Sequence, residues 1–101
     1  MDELPIAIAC TLGAADMADR RDAWEALLRD AALGRERLPH GARVRLRDAR
    51  GIAERARALI AAEGACCAFL AFDLGADDGA LRLDVTGPDD ARPIIDGLLA
   101  L

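Results

Sequence analysis

Apolar residues recur along this chain at two periods, and the switches between them mark out its elements. From Pro5 to Leu12 the larger side chains Ile6, Ile8, Cys10 and Leu12 alternate with Ala7 and Ala9, a period of two that predicts a strand with its heavier face inward. From about Asp16 to Leu33 the spacing becomes helical, through Met17, Trp24, Leu27, Leu28 and Ala31, with Gly34 placed to end the helix. Residues 34–42, which include Pro39, read as a linker.

The alternation returns in Arg43-Val44-Arg45-Leu46-Arg47, which predicts a strand with Val44 and Leu46 on one face and three arginines on the other. Asp48 is positioned to cap a second helix with a buried stripe of Ile52, Ala56, Leu59 and Ile60, closing at Gly64. Residues 67–74 are apolar on both faces, as in a central or partner-covered strand. Asp77-Asp78-Gly79 is turn chemistry, without the ligand spacing of a calcium loop, and Leu81, Leu83 and Val85 form the inward face of a hairpin mate. After Gly87-Pro88, Ile94, Ile95, Leu98 and Leu99 predict a final helix, with Asp89 and Asp90 at the positive end of its dipole. The order β-α-β-α-β-β-α implies an α/β (α+β sandwich) fold of about four strands. The helices lie mainly on one face, in the ferredoxin-like neighbourhood.

With 101 residues the chain forms a single domain, 1–101, and can bury a core without disulfide staples. Trp24, Phe69 and Phe72 are its only aromatics, so an Ala-rich core buries little area per residue and a homodimer is one way to cover more. The net charge of -5 argues against a nucleic-acid or membrane-surface binder. All 13 basic residues are arginines, which excludes lysine Schiff-base chemistry. The acidic opening and the short apolar run after Pro5 do not match a secretory signal, and a cytoplasmic location is expected. There, three cysteines read as free thiols, metal ligands or redox groups before they read as a structural bridge.

The concentrated chemistry is Glu63-Gly64-Ala65-Cys66-Cys67-Ala68-Phe69, where the helical pattern stops and the strand pattern begins. A crossover helix between the strand at 43–47 and the next one makes them parallel, so both start at one edge of the sheet. The antiparallel hairpin mate returns to that edge. One rim then collects Cys66, Cys67, Glu63, His40, Asp89 and Asp90. Cys10 joins it if its strand is antiparallel to the other two; if parallel, it lies at the other end, about 17 Å away.

Thiolates select soft or borderline ions such as Hg(II), Cu(I) or Zn(II), and a pair with a third thiolate makes a two- or three-coordinate site. Zinc prefers four ligands, for which His40 is the available fourth. The competing reading is that all three cysteines are small buried hydrophobes. His40 alone reads as a linker histidine. The three arginines read as a solvated strand face paired with Asp84.

Taken together, Ile8-Ala9-Cys10-Thr11-Leu12, Glu63-x-x-Cys66-Cys67-x-Phe69-Leu70-x-Phe72 and Leu81-x-Leu83-x-Val85-Thr86-Gly87-Pro88 resemble a group of small bacterial proteins associated with mercury and heavy-metal resistance. A related cysteine-bearing segment occurs in heavy-metal-responsive regulators. The resemblance runs over nearly the whole chain and implies thiol-based metal binding through Cys10, Cys66 and Cys67, with Glu63 as an accompanying motif residue. The chain departs from the pattern in having Ala68 where a proline is expected and Gly64-Ala65 in place of more polar residues.

The expected function is capture of a soft ion, Hg(II) foremost, by a non-enzymatic protein. A dimerisation or interaction module with structural cysteines is the alternative, and would bury Phe69, Leu70 or Phe72 against a partner. A thiol redox enzyme ranks last, because a vicinal disulfide is strained and no C-x-x-C spacing is present. No phosphate loop, nucleotide fingerprint or Ser-His-Asp arrangement appears.

Overall fold

The helical spacing around Trp24 becomes α1 (Ala14–Ala31) in the computed structural model, which describes residues 14–66 and 68–101. The expected strand at 5–12 lies outside the described residues. From α1 the chain passes through β1 (Ala32–Leu38), β2 (Gly41–Arg47), α2 (Ile52–Cys66), β3 (Ala71–Asp77), β4 (Ala80–Thr86), a 3-10 turn at Asp89–Ala91 and α3 (Arg92–Leu99). The four strands form one antiparallel sheet in the order β1-β2-β4-β3. The α+β class therefore holds, with the crossover as expected: β2 and β3 both pair antiparallel to the intervening β4, so they run parallel to each other.

Register separates the two faces of the sheet. Val44 opposes Leu83, which opposes Leu74, while Ala42 opposes Val85, which opposes Phe72. This face carries the core, in which Trp24, Leu27, Val44, Leu46, Leu83, Val85, Ile95 and Leu99 are fully buried. All three helices contribute to that single cluster. Each such side chain leaving water contributes roughly 1.5–3 kcal/mol.

The opposite face is polar. Arg43 opposes Asp84 and binds it through two hydrogen bonds of 2.7 and 3.0 Å, as the alternation at 43–47 implied. Arg45 opposes Arg82, a like-charge pair that the fold resolves by sending Arg45 to Asp77 at 2.6 Å and Arg82 to Asp73 and Asp84. Gly75, opposite Arg82, leaves room for that guanidinium: a Cβ there would stand 2.5 Å from its Nη2.

Several boundaries differ from the sequence expectation. Residues 34–42 are not a linker but most of β1, a two-residue turn and the start of β2. Gly34 does not end α1; it sits in β1 beside the bulge at Leu33, which is 60% exposed. The helix-side positions of β1 are Arg35 and Arg37, which reach over α3, Arg35 Nε donating to the Leu99 carbonyl at 2.7 Å and Arg37 to Asp96 at 2.8 Å. An arginine on the last carbonyls of a helix satisfies orphan acceptors and complements the dipole. Asp48 does not cap α2, which starts at Ile52 after a turn at Gly51 with φ of 83°. The strand expected at 67–74 begins at Ala71, and β3 stands at an edge of the described sheet instead of its centre. The Asp78-Gly79 turn, with φ of 52° and 80°, is the tight hairpin that the sequence indicated.

Candidate metal centre

One end of the sandwich gathers the segments that carry the candidate ligands. Gly41, Thr86 and Ala71 form a single row across β2, β4 and β3, so the starts of β2 and β3 lie two strands, about 10 Å, apart at the same edge. His40 immediately precedes that row. Its side chain is exposed on the β1-β2 turn, and its carbonyl accepts the Gly87 N–H at 3.0 Å. Arg92, opening α3, donates to the Pro39 carbonyl at 2.7 Å, and Asp89 and Asp90 are exposed beside it. The expected rim thus exists as a backbone feature.

α2 ends at this rim. Its last residue is Cys66, and Cys67 and Cys10 lie outside the described residues. Cys66 therefore closes a helix instead of standing before the start of a strand, with four residues between it and Ala71. The C-terminal end of a helix dipole attracts cations, and it lacks the thiol-acidifying effect of an N-terminus.

Glu63, one turn earlier, has a definite environment. The residue is 6% exposed, and its Oε1 accepts hydrogen bonds from Trp24 Nε1 at 3.0 Å and Arg20 Nη1 at 3.3 Å. These two donors are four residues apart on one face of α1, the spacing at which helical side chains meet. Trp24 is fully buried, so its N–H requires an acceptor. The sequence carried a signal for this pairing: the single indole of the chain sits on the apolar stripe of α1, and a glutamate interrupts the end of α2. Further along, Arg55 meets Asp30 at 3.1 Å. The two helices are antiparallel, and the start of α1 lies beside the end of α2.

Glu63 and His40 do not meet in a common ligand set. Among the described residues no group of three or more His, Cys, Asp or Glu is disposed to hold a metal ion. Gly64, between Glu63 and the pair, has no heavy atom within 4 Å of a Cβ added to it. Gly64→Ala is therefore expected to raise stability by about 0.5–1 kcal/mol through helix propensity. A urea midpoint at or below that of the wild type would show that the last turn needs glycine.

The polar sheet face supplies the electrostatic signature of the molecule. Hydrogen bonds from Arg43 hold the Asp84 carboxyl below its usual range, against the opposing effect of partial burial, and the charges of Arg43 and Arg82 add to the effect. Asp77 is lowered in the same way, first by its hydrogen bond from Arg45. A carboxylate with a depressed folded-state pKa contributes stability above its unfolded value, near pH 4, and the contribution fades as pH falls through the folded value. Asp84→Asn is expected to lower stability at neutral pH and to flatten the loss below about pH 4. Denaturation midpoints at both pH values check it, and parallel acid limbs for the two proteins would refute it.

No described helix is long and apolar enough to cross a membrane. Compared with known proteins, the chain matches no family model, no curated protein and no solved structure.

Proposed function

We propose that this protein captures a soft metal ion, Hg(II) foremost, through the thiolates of Cys66 and Cys67 with Cys10 as the third ligand. The observation that carries the reading is the shared end of α1 and α2. Cys66 closes α2. Cys10 stands four residues before Ala14, where α1 begins, so the chain keeps it within about 14 Å of that point. Packed helices lie 8–10 Å apart, and this tether leaves Cys10 in range of the pair.

The chemistry follows from the donor set. Each thiol loses its proton as its sulfur bonds the ion, so loading by three cysteines releases three protons and weakens as pH falls. The resulting centre stands at the negative end of α2, which favours a cation. Three sulfurs suit Hg(II) or Cu(I), whereas Zn(II) would need a fourth donor, for which His40 is the candidate at this rim. Glu63 acts as an anchor: its Oε1 is already occupied by Trp24 and Arg20. A place in cytoplasmic heavy-metal resistance accords with the motif resemblance.

The test is an anaerobic titration of the reduced protein with Hg(II), Cu(I) and Zn(II) against a competing chelator, alongside Cys66→Ala/Cys67→Ala. One tight equivalent of Hg(II), lost in the double variant, is expected. Equal uptake by both proteins would remove the cysteine pair from the account.

A further inference from the structure

We infer that β3 is a self-association edge: two copies of the chain join β3 to β3 in antiparallel register about Leu74, with Arg82 of each copy receiving Asp73 of the other. The two edges of the described sheet are built differently. β1 carries the marks of a guarded edge, with a bulge between Ala32 and Gly34 and with Arg35 and Arg37 over its helix side. β3 pairs with β4 along all of Ala71–Asp77 without a register shift, and among the described residues no strand lies on its outer side. Its outward backbone groups follow from the hairpin. Positive φ at both Asp78 and Gly79 makes the two-residue turn type I′, and the pair flanking such a turn, Asp77 with Ala80, exchanges both of its hydrogen bonds. Bonded pairs alternate back along the ladder, so Phe72, Leu74 and Ala76 present N–H and C=O to the outside.

A two-fold axis through Leu74 sets these residues against one another, Leu74 opposite the partner's Leu74 and Phe72 opposite the partner's Ala76. It joins the two four-stranded sheets with the helices of both copies on one side. Phe72 and Leu74 are half-buried on that side and Ala76 is exposed, so the small side chain leaves room for the facing ring. On the polar side the same axis sets Asp73 against the partner's Gly75. That glycine is where a guanidinium lies: a Cβ on Gly75 would stand 2.5 Å from Arg82 Nη2. Arg82 Nη1 reaches its own Asp73 at 3.1 Å and Asp84 at 3.0 Å, while the Asp73 side chain is 72% exposed and has oxygen lone pairs for a second cation. Cα atoms of a non-hydrogen-bonded pair stand about 4.5 Å apart, which brings the partner's Asp73 onto that guanidinium and makes two crossed ion pairs. The charge pattern selects this register. An axis through Asp73 opposes that residue to itself, and one through Gly75 opposes Asp73 to Asp77; like charges directly opposite are destabilising. β1 offers no such solution, since an axis through Arg35, Glu36 or Arg37 sets arginine against arginine.

The inference stands apart from the thiolate reading, so the experiment uses the full chain, reduced and without metal. Sedimentation equilibrium is expected to return twice the chain mass for the wild type. Asp73→Arg turns the crossed pairs into arginine facing arginine, and Arg82→Asp turns them into aspartate facing aspartate. Each alone is expected to raise the dimer dissociation constant by about tenfold or more. Mixed in equal amounts, the two variants restore opposite charges at both crossed pairs, and the mixture is expected to return to the dimer mass. Circular dichroism reports the fold of each. Should Arg82→Asp fail to fold, Ala76→Glu, at an exposed position, is expected to weaken the dimer by the same factor by placing bulk and charge against the partner's Phe72. A single-chain mass for the wild type, the outcome if residues 5–12 or a different protein take this edge, would overturn the inference. So would a dimer whose dissociation constant is unchanged by Asp73→Arg and by Ala76→Glu.

Discussion

Glu63→Ala is expected to destabilise the fold by about 3 kcal/mol, the lower end of the range for breaking a buried pair from one side. The substitution leaves the fully buried Trp24 N–H without its 3.0 Å acceptor and the Arg20 guanidinium, four-fifths shielded, without its 3.3 Å partner. An unsatisfied buried donor alone costs about 1–3 kcal/mol. Glu63→Gln separates the contributions: it preserves one acceptor oxygen for Trp24 while removing the charge and turning the other oxygen into an NH2 donor, so a loss of about 1 kcal/mol is expected. Urea denaturation of Glu63→Ala, Trp24→Phe and the double variant completes a cycle in which Trp24→Phe should cost less in the Glu63→Ala background than in the wild type. A Glu63→Ala midpoint within experimental error of the wild type would show that the carboxylate does not tie the helices.

Gly41→Ala is expected to cost about 3 kcal/mol for a different reason. A Cβ at this position would run into the Val85 carbonyl oxygen and stand 2.7 Å from Thr86 Cα, both backbone atoms of the paired strand β4. Backbone cannot rotate away as a side-chain end can, so β2 and β4 must part at the rim. Gly75→Ala is the matched control, because its obstacle is the far end of Arg82, and an effect within about 0.5 kcal/mol is expected there. Thermal unfolding of the two variants decides the matter: equal shifts would mean that the strand spacing at Gly41 is soft. Since Gly41 is followed across the sheet by the row of Thr86 and Ala71, a parted rim would also displace the segment leading back to the cysteines.

What the sequence disclosed and what it concealed have physical causes. β2 and β4 were legible because Val44, Leu46, Leu81, Leu83 and Val85 alternate against outward arginines and aspartates, and register pairs them on one buried face. β1 was concealed because its helix-side positions are Arg35 and Arg37, which bind the end of α3 instead of entering the core. An edge strand defined by two capping arginines has no hydrophobic period to detect. Gly64 suggested an early stop to α2, but nothing crowds it and the helix continues to Cys66. That extension places Cys66 at a helix end instead of a strand start. At the site, the common edge of β2 and β3 followed from the crossover rule, and it holds. The Trp24-Arg20-Glu63 contact depends on the packing of α1 against α2, a tertiary fact that periodicity within either helix does not contain.

The central claim is that one soft ion engages all three cysteines. Its most direct measurement is a count of alkylatable thiols, by intact-protein mass spectrometry, on the reduced folded chain before and after one equivalent of Hg(II). Three modified cysteines before loading and none after is the expected result, with Cys10 protected together with Cys66 and Cys67. The same count before and after loading would contradict the account.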